Sequence, residues 1–138
     1  MATAAVEVPA ESKAKTRTGW ALTGLAVAFF AMDAGGKLIA PEVMIANSPP
    51  LGIPADSSFY RELGAILAVC TLLYVWPRTA VLGAVMLTGY LGGAVASHLR
   101  VGSPLLSHTL FGVYLGLFVW GGLWLREPRL RAIFPLKD

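Results

Sequence analysis

The chain reads as an all-α integral membrane protein, a four-helix up-and-down bundle with both termini cytoplasmic. Three observations carry that reading. Of 138 residues, 56% are hydrophobic and 14% charged, too few charges to coat a soluble domain of this length. The apolar residues gather in four blocks, 20–39, 59–76, 80–99 and 105–125, each 18 to 21 residues long, and about 20 helical residues cross a bilayer core. Lys and Arg fall unevenly among the connections. Eight (Lys13, Lys15, Arg17, Arg78, Arg126, Arg129, Arg131 and Lys137) lie on the side of the termini, against three (Lys37, Arg61 and Arg100) opposite. That bias orients the bundle and accounts for the basic balance of the chain without nucleic-acid binding.

Residues 1–18 are polar and alanine-rich with no apolar periodicity, and are expected to form a flexible cytoplasmic tail. The first span, 20–39, follows three basic residues as a secretory signal would. Its apolar run exceeds the usual 7–15 residues, however, and Asp33 occupies the place where cleavage would need small neutral residues, so a retained helix is expected. Residues 40–58 are the one long connection. It is stiffened by Pro41, Pro49, Pro50 and Pro54 and carries Met44, Ile45, Leu51 and Ile53. Such a loop is expected to rest on the interface or cap the bundle. "WPRT" (76–79) and "RVGSP" (100–104) are tight turns that force the last three spans into antiparallel neighbours. Residues 128–138 form a basic cytoplasmic tail, with Trp120 and Trp124 as interfacial anchors. A lone Cys70 excludes an intramolecular disulfide and a redox CxxC pair.

Small residues in the third span recur at four-residue spacing in two rows, Val85–Gly89–Gly93–Ser97 and Ala84–Thr88–Gly92–Ala96, and the fourth span offers Gly112 and Gly116, then Gly121 and Gly122. Helices in lipid associate through close backbone contact. Gly89, Gly92, Gly93, Gly112 and Gly116 are therefore expected at packing faces, with the third span as the tightly packed centre. The competing reading is a close approach to a flat ligand.

The polar groups collect at one depth. At about 1.5 Å per residue, Asp33 lies roughly 9 Å and Lys37 roughly 3 Å inside the outer end of the first span. Arg61 and Glu62 open the second span, Ser97, His98 and Arg100 close the third, and Ser107 and His108 open the fourth. A charge within the bilayer faces a partner or a cavity. The spare reading is an Asp33–Lys37 bridge four residues apart. The fuller one is an outer-leaflet ligand pocket of Asp33, Lys37, Glu62, Tyr90, Ser97, His98 and His108 beneath the long loop. Two lone histidines with no HxxE, HExxH or HxxxH pattern call for no metal or haem. Arg100, at headgroup level, is expected to meet lipid phosphate. Tyr74, Tyr90 and Tyr114 are candidates to line a channel for a quinone ring.

With "YVWPRT", "GAVMLTGYLGGAVASHLRVGSPL" and "WGGLWLREPRLR", together with Lys37 and Glu62, the chain resembles the DoxX-like family of small four-helix bacterial membrane proteins. The family is named for a subunit of a membrane oxidoreductase that passes electrons to quinones. The resemblance implies a multi-pass protein of the bacterial cytoplasmic (inner) membrane, a redox-associated role, a redox-enzyme partner subunit and a quinone-like ligand. It carries over no catalytic residue set and no firmly implied cofactor. Alternatives stay open. One is a membrane enzyme doing acid–base chemistry on a lipophilic substrate, with Asp33 or Glu62 as proton donor and His98 or His108 as base. The other is a non-catalytic assembly or permeation subunit.

Overall fold

The structure, a computed structural model, describes residues 12–136. Six α-helices follow one another: α1 (Lys13–Ile39), α2 (Pro41–Asn47), α3 (Ser57–Val75), α4 (Ala80–Arg100), α5 (Phe111–Arg126) and α6 (Pro128–Arg131). A π-helical turn, Leu105–Thr109, leads into α5. Four helical segments are long and apolar enough to cross a membrane: Lys13–Ile39, Ser57–Val75, Ala80–Arg100 and Leu105–Arg126. The chain is thus a multi-pass membrane protein.

The element ends differ from the sequence reading in three places. α1 begins at Lys13, so residues 13–18 extend the first span as helix rather than tail, and residues 1–11 lie outside the described residues. No proline separates Lys13 from Trp20, so the α1 ladder continues past the apolar block. Inside the long connection, Pro41 starts α2, because proline is tolerated in a first turn where the N–H has no helical partner. At the head of the fourth span, the Pro104 carbonyl accepts from both His108 N–H and Thr109 N–H, each at 3.1 Å. The chain therefore takes a wider turn before the α-helix begins.

The four spans form a ring. α1 packs on α3 and α5, α4 packs on the same two, and among the described residues the backbones of neither diagonal pair come within 8 Å, Cα to Cα. The core face of α4 is Gly83, Ala84, Leu87 and Leu91, and that of α1 is Gly19, Thr23, Ala26, Phe30 and Ala34. Each follows helical spacing.

Every side of the ring closes on a glycine. A Cβ on Gly122 would meet Thr23 Oγ1 at 2.6 Å and Gly19 O at 3.0 Å, which sets the α1–α5 crossing. On Gly64 it would meet Lys37 Cβ at 2.8 Å (α1–α3), and on Gly83 the carbonyl carbon of Leu73 at 2.6 Å (α3–α4). On Gly112 it would meet Val95 Cγ2 at 2.9 Å and Leu91 O at 3.2 Å (α4–α5). Close approach through glycine thus does the work expected in lipid, at Gly112 and Gly122 as expected of the fourth span, but not along the small rows of α4. Gly89, Gly92 and Gly93 have nothing within 4 Å of such a Cβ, and Gly116 only Leu91 Cδ1 at 4.0 Å. The third span is one member of a ring, not its centre. The four-residue spacing marks a small face of α4 without saying whether protein covers it, and large residues on the opposite face already fill the core.

At the end of the bundle that carries the termini, one network ties three spans. The Thr23 hydroxyl lies 3.2 Å from Tyr74 OH, which donates to Val119 O at 2.8 Å. Arg126 Nε donates to Thr23 Oγ1 at 3.1 Å, and its guanidinium lies over the Trp20 ring at 4.4 Å. Arg126 therefore turns inward onto the helices it ties. Arg131 also folds back, donating to the Trp124 and Leu125 carbonyls.

Candidate functional site

The other end of the ring encloses a cavity of about 460 Å³, within the size range of small-molecule sites. α1 contributes Phe29, Phe30, Asp33 and Lys37, and α3 contributes Phe59, Tyr60, Leu63 and Leu67. Both sets read i, i+1, i+4, i+8, a single helical face. From α4 come Tyr90, Ser97 and His98, from the π-helical turn His108, and from α5 Phe111, Gly112 and Leu115. The long connection closes the top with Ser48, Leu51 and Ile53, as a capping loop should.

Six of the seven pocket residues expected from sequence line this one cavity: Asp33, Lys37, Tyr90, Ser97, His98 and His108. Glu62 does not. It is exposed, one position before the lining residue Leu63 and two after Tyr60. Its depth was readable from its distance to the helix end, but at 100° per residue it points to the flank of α3. Glu62 therefore cannot serve as a proton donor within the cavity.

Asp33 and Lys37 form the only salt bridge among the described residues, Lys37 Nζ donating to Asp33 Oδ2, with side chains 21% and 13% exposed. The bridge and the cavity, first set against each other, coexist: the pair is a wall of the pocket. Its charges balance, as a low-dielectric setting requires.

The two histidines meet through the turn after α4. Gly102 takes φ +68°, a left-handed conformation that glycine adopts without strain, and Ser103 N–H caps His98 O at 3.0 Å. The imidazole centroids stand 6.0 Å apart at 61°. His98 Nδ1 is 3.0 Å from Ser103 Oγ, and His108 Nδ1 is 2.7 Å from Ser107 Oγ. A serine hydroxyl thus occupies each Nδ1 and leaves each Nε2 for a ligand. Among the described residues, no group of three or more His, Cys, Asp or Glu is placed to hold a metal ion.

Arg100 does not project to lipid phosphate. Its Nη2 donates to Leu51 O at 2.8 Å and Gly52 O at 3.0 Å, pinning the capping loop to the end of α4. Gly52 is the loop's one left-handed residue, at φ +67°. At the other end of this connection, Ser57 Oγ donates to Glu42 Oε1 at 2.8 Å. Its own backbone N–H, and then this hydroxyl, hold the Glu42 carboxyl below its ordinary pKa. Of the three tyrosines considered for a ring channel, Tyr90 alone lines the cavity. Tyr74 is committed to the buried network at the opposite end, and Tyr114 donates to Leu106 O on the exposed side.

Sequence reasoning missed the aromatic walls and the Arg100 latch. The walls had a signal, since Phe29 and Phe30 precede Asp33 by four and three positions and share its face. The latch had none, because its acceptors are backbone carbonyls 48 and 49 residues away.

No curated protein and no solved structure matches the chain. A family model does, over residues 21–122, from the first span through most of the fourth and including every lining residue of the cavity. On that match the chain belongs to the DoxX-like family.

Proposed function

We propose that this protein is a redox-associated component of the bacterial cytoplasmic membrane that binds a quinone-like molecule in the cavity, with both termini cytoplasmic and the cavity in the outer leaflet. The observation that carries the reading is the cavity's division into two chemistries. Phe29, Phe30, Phe59, Tyr60 and Phe111 supply flat apolar walls, while Asp33, Lys37, His98 and His108 lie among the same lining residues. A ring with oxygens on its edge and an apolar tail suits that division, the ring against aromatic faces and its oxygens within reach of imidazole Nε2–H or the Lys37 ammonium. A redox-enzyme partner subunit would exchange electrons with the bound ring. The acid–base enzyme is the weaker reading, since Glu62 lies off the cavity and Asp33 is held as a carboxylate partner of Lys37.

Decylubiquinone titrated into the detergent-purified protein, followed by difference absorbance, tests the reading. Saturable binding is expected. His98→Ala and His108→Ala should each weaken it about tenfold, the worth of one hydrogen bond of roughly 1.4 kcal/mol. Wild-type protein with no saturable binding, and no lipophilic ring compound in its organic extract, would refute it.

A further inference from the structure

At Gly83 the α4 backbone lies against the backbone of Leu73 and Tyr74, too close for any side chain. Ten residues further along α4, about 15 Å at helical rise, Gly93 has nothing within 4 Å of an added Cβ, and neither has Gly89. Yet both glycines line the cavity, and both are exposed. Antiparallel pairing from Tyr74 opposite Gly83 sets Leu63 and Leu67 at about the levels of Gly93 and Gly89, and these leucines line the cavity too. The cavity wall therefore reaches the outer surface of the bundle at Gly89 and Gly93, on the flank of α4 at the level of Leu63 and Leu67. Gly92, next to Gly93 and equally free of neighbours, is exposed but does not line the cavity.

From this exposed stretch of cavity wall we infer that the cavity opens sideways into the bilayer between α3 and α4, through a window whose sill is Gly89 and Gly93, and that its ligand enters from the lipid phase. The inference rests on the reading of the cavity as a ligand site and adds the route. The top is closed by the capping loop, which Arg100 holds by two carbonyls, so the water-side path is latched. The absence of side chains at the two glycines leaves space beside the helix for a flat ring, and it gives those glycines a reason to lie where no helix packs on them. A ligand using this path partitions into hydrocarbon and presents a ring no thicker than one aromatic layer.

The test follows entry of a small reagent and does not depend on the identity of the ligand. In proteoliposomes of the full chain carrying Cys70→Ala, a thiol is placed behind the sill by Leu91→Cys, or by Ala94→Cys should the first variant not fold. Lipid-soluble N-phenylmaleimide and a membrane-impermeant sulfonated maleimide are then compared. The neutral reagent is expected to react at least tenfold faster. Adding Gly93→Phe should slow it at least tenfold with the melting temperature unchanged, and adding Gly92→Phe should leave the rate alone. Equal rates with and without Gly93→Phe, faster reaction of the sulfonated reagent, or a thiol inert to both would overturn the window. Should the window pass while decylubiquinone fails to bind, the quinone reading falls and the lateral entrance stands.

Discussion

Replacing Lys37 by Met should destabilise the bundle more than replacing Lys37 and Asp33 together. Lys37 Nζ is the one cation bridged to Asp33, so Lys37→Met leaves a carboxylate four-fifths buried among aromatic walls. Removing one partner of a buried pair costs about 3–5 kcal/mol in protein interiors, and a lone carboxylate at mid-bilayer costs about 2.5–3.5 kcal/mol on insertion scales. Asp33 retains 21% exposure toward a cavity of about 460 Å³, which moves the expectation to the low end, about 2–3 kcal/mol. Asp33→Asn should cost less, about 1–2 kcal/mol, because Lys37 lies one turn nearer the helix end and can extend its ammonium toward the headgroups. The double variant Asp33→Asn/Lys37→Met removes both charges and should fall within about 1 kcal/mol of wild type. The assay is thermal unfolding in a mild detergent at fixed protein concentration, with all four proteins in one double-mutant cycle. A double variant no more stable than Lys37→Met would refute the reasoning, since Asp33 would then have had another partner or access to water.

Three further expectations concern other parts of the ring. Gly83→Ala should unfold the bundle or cost more than the roughly 1–3 kcal/mol of ordinary overpacking, whereas Gly93→Leu, in open space, should melt with wild type; equal losses in the two melting curves would contradict the backbone contact at Gly83. Tyr74→Phe should cost about 0.5–1.5 kcal/mol by removing the hydroxyl that links Thr23 to the Val119 carbonyl, and the same melting assay with no loss would show the network to be dispensable. Arg100→Ala should expose the 48–53 loop to limited proteolysis at least several-fold faster while leaving the melting temperature within a few degrees, because it frees two carbonyls of the cap and no core residue; unchanged cleavage would remove the latch.

What the sequence disclosed of this molecule was depth, and what it withheld was direction. Hydropathy along a helix reports how far a residue lies from the span's end, so Asp33, Lys37, His98 and His108 could be assigned to one layer, and they do line one cavity. Azimuth needs a second marker on the same helix. For Asp33 that marker existed in Phe29 and Phe30, and for His108 in Phe111 and Leu115, each at helical spacing. For Glu62 the marker spoke against it: Phe59, Tyr60, Leu63 and Leu67 define the inner face of α3, and Glu62 lies off that face. The glycines make the same point in reverse. Gly112 is flanked on its face by Leu115 and Val119, which are buried, so its packing role was readable. Gly89 and Gly93 share a face with exposed Val85, and a small, exposed face in a membrane helix is open to lipid, to another chain or to a ligand.

That last distinction separates two uses of glycine in one protein. Where an atom of a neighbouring helix lies within 3 Å of the position a Cβ would take, as at Gly19, Gly64, Gly83, Gly112 and Gly122, the missing side chain lets helices meet. In lipid, with no hydrophobic gain between spans, such meetings determine the crossing points. Where nothing lies within 4 Å, as at Gly89 and Gly93, the missing side chain contributes no contact, and glycine there carries the usual disadvantage of about 1 kcal/mol against alanine without offsetting packing. A residue that lowers helix stability and holds nothing together is accounted for by the space it leaves. Here that space adjoins the cavity holding the Asp33–Lys37 pair and both histidines, so the lateral opening and the polar site belong to one device: Gly83 holds α4 against α3, and the bare glycines further along keep the wall passable to a molecule dissolved in the membrane.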